Sequence, residues 1–458
     1  MFITINPADN VAVAFTEQNN IPAGHKIALR DIKKGDKVIK YGYPIGFATA
    51  DIKKDEHVHV HNLKTSLSGI VDYEYKPDVS PVQKSEGTFM GYRRKDGKVG
   101  IRNEVWIINT VGCVNKIAEK IAAKFEDVYT FVHPYGCSQL GDDHAYTQNI
   151  LKNMVNHPNA AGVLVLGLGC ENNHIDEFKQ VLGTWDDERV KFLNAQDVND
   201  DEAEGTKIVE SLLKYASGFK RESVPVSELV VGLKCGGSDG LSGITANPLV
   251  GSFTDLLIAK GGSCLLTEVP EMFGAETILM NRCVNKDVFD KSVNLINDFK
   301  NYFIRHNQEI YENPSPGNKE GGISTLEEKS LGCTQKGGTS PVVDVIAYGE
   351  TIKTPGLNLL QGPGNDIVAV TNLVAAGAHI VLFTTGRGTP VGGPVPTVKI
   401  SSNIPLAKSK PHWIDYNAVD AVPEDFFSYI TSVASGTKTQ NEINDYREIS
   451  IFKDGVTL

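Results

Sequence analysis

The chain has 458 residues, enough at roughly 150 residues per domain for about three domains, each with its own core. Charged residues make up 22 % and hydrophobic ones 41 %, a balance that excludes disorder, and no apolar run is long enough to span a membrane. Asp plus Glu outnumber Lys plus Arg by 56 to 45, and the resulting net charge of −11 repels a phosphate backbone, so nucleic acid is excluded as the expected partner.

The seven cysteines are an odd number, and the opening MFITINPADN carries neither a basic nor an apolar leader segment. Free thiols and a cytoplasmic location are the expectation. Residues 1–70 read as short strands between turns (FITI, NVAVAF, HKIALRDI, KVIKYGYPIGFAT, HVHVHN), which predicts a small all-β domain. On an extended HVHVHN strand, His57, His59 and His61 project from one face. Neighbouring imidazoles chelate a divalent metal or touch a substrate, with His25 joining from another strand; the alternative is an ordinary polar face beside Lys53, Lys54 and Glu56. Residues 71–90 have no helical period and contain Pro77, Pro81 and Gly87, so they read as a linker.

Beyond the linker, apolar strands alternate with glycine-containing loops and amphipathic helices, which predicts α/β domains with mostly parallel sheets over residues 91–225 and 226–458. EVWIINT, VYTFVHP and GVLVLGLG are the strands of the first; LVVGLK, LNLLQ and HIVLFTT belong to the second, with a helix expected near 247–260. Residues 313–340 read as a long loop, and the chain end as a closing helix turn and edge strand.

Ligands of open α/β sheets sit beyond the carboxyl ends of the strands, where Cys113, Cys137, Cys170 and Cys235 fall. These thiols, with Asp142, Asp143, Glu171 and Asn172, either line a cleft or merely cap strands as small buried residues. Three or four converging thiolates could hold an iron–sulfur cluster, although no CxxC is present. GRGTPVGGP (386–394) joins backbone amides to the guanidinium of Arg387 and suits a carboxylate, or is a structural turn. GPGND, containing Asn365, opens a helix and offers a second anion site. P-loop, GxSxG, HExxH and kinase motifs are absent.

The stretches GHKIAL, VIKYGYPIG, HVHVHN, TVGCVN, YGCSQLGDDH, GLGCENN, CGGSDGLSGITANP, TEVPEMFGAE, YENPSPGNK, LEEKSLGCTQK, QGPGND and TGRGTP closely resemble the altronate/galactarate dehydratase family, from near residue 6 to the terminal FKDGVTL. One departure is Gln361 in QGPGND, where the family carries a smaller residue. The resemblance implies a SAF (β-clip) N-terminal domain and a hydro-lyase of hexuronate breakdown that converts D-altronate to 2-dehydro-3-deoxy-D-gluconate. It also implies dependence on Fe(2+), with Mn(2+) able to serve. For that chemistry the candidate acid and base groups are His59, His61, Lys26 and Glu268, and the candidate metal ligands His25, His59, His61, Cys170 and Glu171. Arg387 with Gly386 and Gly388 would hold the carboxylate, and Asp142, Asp143, Asn172, Asp239 and Asn365 the hydroxyls. A sugar acid is the expected partner, within a homo-oligomer and without membrane or nucleic acid. The competing readings are galactarate or another sugar acid as substrate, a lyase expelling sulfite from a sulfonated hydroxy acid, and a sugar-acid sensor without catalysis.

Overall fold

The computed structural model describes residues 1–458. The N-terminal strands form two small antiparallel sheets. One orders Phe2–Ile3, Val11–Ala14, Lys26–Ala28 and His57–Val58; the other orders Lys37–Lys40, Tyr43–Ala48 and Leu63–Lys64. Their inward residues Val11, Ala28, Val38, Ile45, Val58 and Leu63 share a cluster with Ala275 and Leu331 of the C-terminal body. Apolar burial therefore docks this domain directly on the body. The segment 67–87 has neither helix nor strand, yet it is strapped down: the Tyr75 hydroxyl donates to Cys283 O at 2.7 Å and Asp78 N to Asn281 O at 2.7 Å.

Two parallel sheets follow. The first orders Val128–Thr130, Glu104–Asn109, Ala160–Gly167 and Val190–Asn194; the second orders Val342–Ile346, Leu357–Leu360, Ser263–Leu266, Val230–Cys235, Ile380–Thr385, Thr397–Ser401 and Tyr416–Asn417. Near-continuous apolar strands form them because both faces are covered. Alternate residues go to opposite layers: Ile380 and Leu382 join one cluster, Val381 and Phe383 another. That second cluster also takes Trp106, Phe131, Val163 and Val165 from the first sheet, so the two α/β bodies share one apolar layer. The expected helix near 247–260 is Ala246–Ala259. No helix is long and apolar enough to cross a membrane.

Two expectations are corrected. Residues 313–340 are not a long loop: they contain the helices Pro316–Glu320 and Leu326–Cys333, and every residue of the latter is buried. A helix surrounded on all sides has no polar face, and so no amphipathic period to read. The chain end forms the short helix Gln440–Ile443 and then an irregular tail whose β pairing is one isolated bridge between Gln139 and Thr457 rather than an edge strand.

Candidate active site at the seam between the N-terminal domain and the C-terminal sheet

Strand Val230–Cys235 lies where the order of the larger sheet reverses: its successor Ser263–Leu266 pairs on one side and Ile380–Thr385 on the other. A crevice opens at such a switch point. The CGGSDG loop leaving this strand touches each neighbour in turn. Gly236 abuts the Asp366 carboxylate, Gly237 abuts Arg387, and Gly240 meets Gly24 of the N-terminal domain. A Cβ on Gly240 would stand 2.0 Å from Gly24 O, and one on Gly386 2.2 Å from Asp239 Cγ, so only glycine permits this closeness.

The imidazoles sit on that seam. His25 Nδ1 is 3.0 Å from His57 Nε2, and its Nε2 is 3.0 Å from Glu320 O. His59 Nδ1 is 2.9 Å from Ser324 Oγ, and the rings of His57 and His61 are 5.4 Å apart. Glu320 in turn pairs with Arg387 at 3.1 Å. Burial and the neighbouring His25 push His57 down to about 4, while burial and the Lys26 ammonium push His59 down to about 3. Both rings are therefore neutral at pH 7. His61, Glu320 and Arg387 are exposed and form the open mouth.

Inward from the mouth the seam becomes a buried ionic network. Lys26 Nζ donates to Gly322 O at 2.7 Å, Ser324 Oγ at 2.9 Å and Glu328 Oε2 at 2.9 Å, and Lys40 donates to Glu328 Oε1 at 2.8 Å. Burial raises the Glu328 carboxyl, but the two ammonium groups outweigh it and hold the group at about 2. One residue on, Lys329 pairs with Glu271 at 2.8 Å. Glu271 Oε2 lies 3.0 Å from Cys235 Sγ and 3.2 Å from Cys333 Sγ, with the two sulfurs 3.3 Å apart. Glu268, held at φ +70°, accepts from Cys235 N at 3.0 Å and pairs with Lys234, which reaches Asp366 at 2.9 Å. Burial, together with the nearby Cys235 and Glu271, drives Glu268 well above the usual carboxyl range.

The structure brings His25, His59, His61, Lys26, Asp239, Gly386, Gly388 and Arg387 to this seam, with Glu268 buried beneath it and Asn365 exposed at the start of the helix Asp366–Ala375. Several expected contacts take other roles. Lys26 uses all three N–H donors inside the protein, so it anchors the seam and leaves no lone pair to serve as a base. Asp239 accepts from Ser242 N at 2.8 Å, Ser402 Oγ at 2.8 Å and Asn403 Nδ2 at 3.0 Å, and so braces the loop. Asn365 caps a helix by accepting from Val368 N. Asp143 holds the C-terminal tail through Asp454 N and Gly455 N, each at 2.8 Å. Its neighbour Asp142 lines a cavity beside that tail with Arg305 and Gln361. Asn172 accepts from Ser138 N at 2.8 Å. Cys170 and Glu171 remain with the loops of the smaller parallel sheet. Glu171 accepts from Thr110 Oγ1 and Leu168 N through Oε1 and from Gly169 N through Oε2, so it braces its own loop. One group of three ligand atoms closes to within 4.8 Å, and it is Cys235, Glu271 and Cys333. Residue types alone could not reveal which polar groups are already satisfied. Reading 313–340 as a loop also hid Glu328, Lys329 and Cys333, whose clustering in LEEKSLGC was the available signal.

Three family models match the chain in succession. These are the altronate/galactarate dehydratase SAF domain over residues 1–66, the D-galactarate dehydratase/altronate hydrolase second domain over 91–217, and the D-galactarate/altronate dehydratase C-terminal domain over 226–457. The chain belongs to the altronate/galactarate dehydratase family. Among similar members, the altronate dehydratase of Bacillus subtilis (strain 168) is 54% identical over 100% of this chain and 99% of its own. The altronate dehydratase of Escherichia coli (strain K12) is 53% identical over the whole of both chains. The galactarate dehydratase (L-threo-forming) of Escherichia coli (strain K12) is 34% identical, covering 95% of this chain and 93% of its own. As a member of this dehydratase family, the chain is a hydro-lyase, and the antiparallel SAF domain is the part that delivers the imidazoles to the seam.

Proposed function

We propose that the chain dehydrates D-altronate to 2-dehydro-3-deoxy-D-gluconate at the mouth formed by His57, His59, His61 and Arg387. One observation carries this reading: neutral imidazoles on the N-terminal domain and an arginine loop at a switch point are linked through a single residue, Glu320, by contacts of 3.0 and 3.1 Å. The guanidinium of Arg387 and the amides of residues 386–388 receive the substrate carboxylate, displacing Glu320. His59, fixed through Nδ1 to Ser324, presents Nε2 as an unprotonated base toward C2. The proton it takes is returned to the C3 oxygen, which leaves as water, and the enol tautomerises to the 2-keto acid.

Removing a proton beside a carboxylate builds a second negative charge on the same group, and a divalent ion bound there supplies the charge to stabilise it. The donors suit Fe(2+), with Mn(2+) as the alternative: burial keeps His57 neutral, its Nδ1 faces no protein partner, and His61 stands beside it. His57 and His61 would hold the ion. His25 is left to orient His57, because both of its nitrogens are engaged. His59→Ala should lower kcat on D-altronate by about 10²- to 10⁴-fold with unchanged circular dichroism. Turnover within twofold of the parent would remove His59 from the reaction. A parallel assay on galactarate separates the two family substrates.

A further inference from the structure

The smaller parallel sheet has its own switch point. Glu104–Asn109 pairs with its chain successor Val128–Thr130 on one side and with Ala160–Gly167 on the other. A Gly-Cys pair follows each of these three strands: Gly112-Cys113, Gly136-Cys137 and Gly169-Cys170. The loops are stitched together. Gly112 N donates to Tyr135 O at 2.9 Å, Asn173 N to Gly136 O at 3.0 Å, and Asn173 Nδ2 to Thr110 O at 3.1 Å. A Cβ on Gly136 would lie 1.9 Å from Thr110 O, so the second loop is pressed onto the first. Gly136, Ser138 and Gly169 have φ of +95°, +59° and +125°, so a left-handed residue stands beside both Cys137 and Cys170, and Cys170 Sγ accepts from Gln196 Nε2 at 3.6 Å.

Free cysteine is among the most buried residue types, yet all three of these thiols are exposed, while the other four cysteines are buried. Each exposed thiol stands on a loop whose flanking residues Val111, Gly136 and Glu171 are buried. From this placement we infer that Cys113, Cys137 and Cys170 bind an iron–sulfur cluster through three thiolates. A mononuclear ion is disfavoured by spacing, since these sulfurs do not form a group within 4.8 Å, whereas thiolates on a four-iron cluster stand about 6 Å apart. A closed zinc site would need a fourth protein ligand. The nearby His133 is buried with Nε2 2.9 Å from Asn109 O and Nδ1 accepting from Tyr135 N, so it is not free to supply one. Three thiolates leave one iron open beyond the carboxyl ends of these strands, on a different sheet from the one that meets the histidine mouth.

The test uses the full chain, reconstituted without oxygen using ferrous iron and sulfide, then desalted. The parent should retain about four irons and four sulfides per chain, with a broad absorption near 400 nm that bleaches on reduction. Cys113→Ser, Cys137→Ser and Cys170→Ser, each checked for native circular dichroism, should cut bound sulfide at least fivefold, while Cys264→Ser should retain it. The inference is overturned if the parent binds no sulfide, if the triple serine variant binds as much as the parent, or if bound sulfide is lost instead in Cys235→Ser and Cys333→Ser. Should a serine variant misfold, mapping which cysteines the cluster shields from alkylation in the parent gives the same answer: protection of Cys113, Cys137 and Cys170 supports the site, and their full reactivity contradicts it.

Discussion

Arg387 must exchange one carboxylate for another. Its Nη2 lies 3.1 Å from Glu320 and its Nη1 donates to Gly317 O at 3.3 Å, in an exposed pair whose intrinsic contribution is small. A substrate carboxylate able to use the planar fork and the loop amides together can displace Glu320, whereas an ammonium group offers a point charge without the fork. Arg387→Lys should therefore raise KM for altronate about tenfold with kcat changed less than threefold, about 1.4 kcal/mol of binding. Unchanged steady-state kinetics would mean that the loop holds nothing. At this scale the sequence conveys which side chains can react and conceals which are occupied. HVHVHN suggested three imidazoles on one face, although the strand ends at Val58 and a turn carries His61, and nothing in GHK shows that Lys26 has all its protons donated across the seam.

The helix Leu326–Cys333 joins the two halves of the site. Glu328 faces the N-terminal domain and bridges Lys26 and Lys40, while Lys329 and Cys333 face Glu271. Burying two ammonium groups is tolerated only because one carboxylate takes a hydrogen bond from each. Glu328→Gln leaves both buried ammonium groups without an anionic partner and should cost about 3 kcal/mol or more in urea unfolding. The docked domain should loosen with it, so the 67–87 strap should be cleaved faster by a protease than in the parent. Equal midpoints and equal cleavage would show that the ion pairs do not hold the seam. Of the parallel strands, Glu104–Asn109, Ala160–Gly167, Val230–Cys235, Leu357–Leu360 and Ile380–Thr385 were legible because continuous apolar runs of four to eight residues between glycine loops have few other readings. This helix was not, because a segment buried on every side carries its charges inward and shows no period.

Across the whole molecule, two parallel sheets each present a switch point, and the small antiparallel domain closes over only the larger one. Buried histidines tie the fold to pH. Burial pushes His133 and His379 down to about 4 and His157 well below its ordinary value. Below about pH 6.5 the unfolded chain takes up protons that these folded rings refuse, so stability falls as pH drops from 6.5 toward 4, by roughly 1.4 kcal/mol per pH unit for each ring. Glu328, held at about 2, adds a further loss below the ordinary carboxyl range near 4.5. Urea midpoints at pH 7 and pH 5 should differ markedly, and a flat profile would contradict the neutral buried state. On the proposed reading, chemistry occurs where the imidazoles meet the arginine loop. A crystal structure with Mn(2+) and D-altronate bound to a slow variant, His59→Gln, tests it most directly. The carboxylate is expected on Arg387 and the ion on His57 and His61; substrate seated in any other cavity, with the seam empty, would rule out this site.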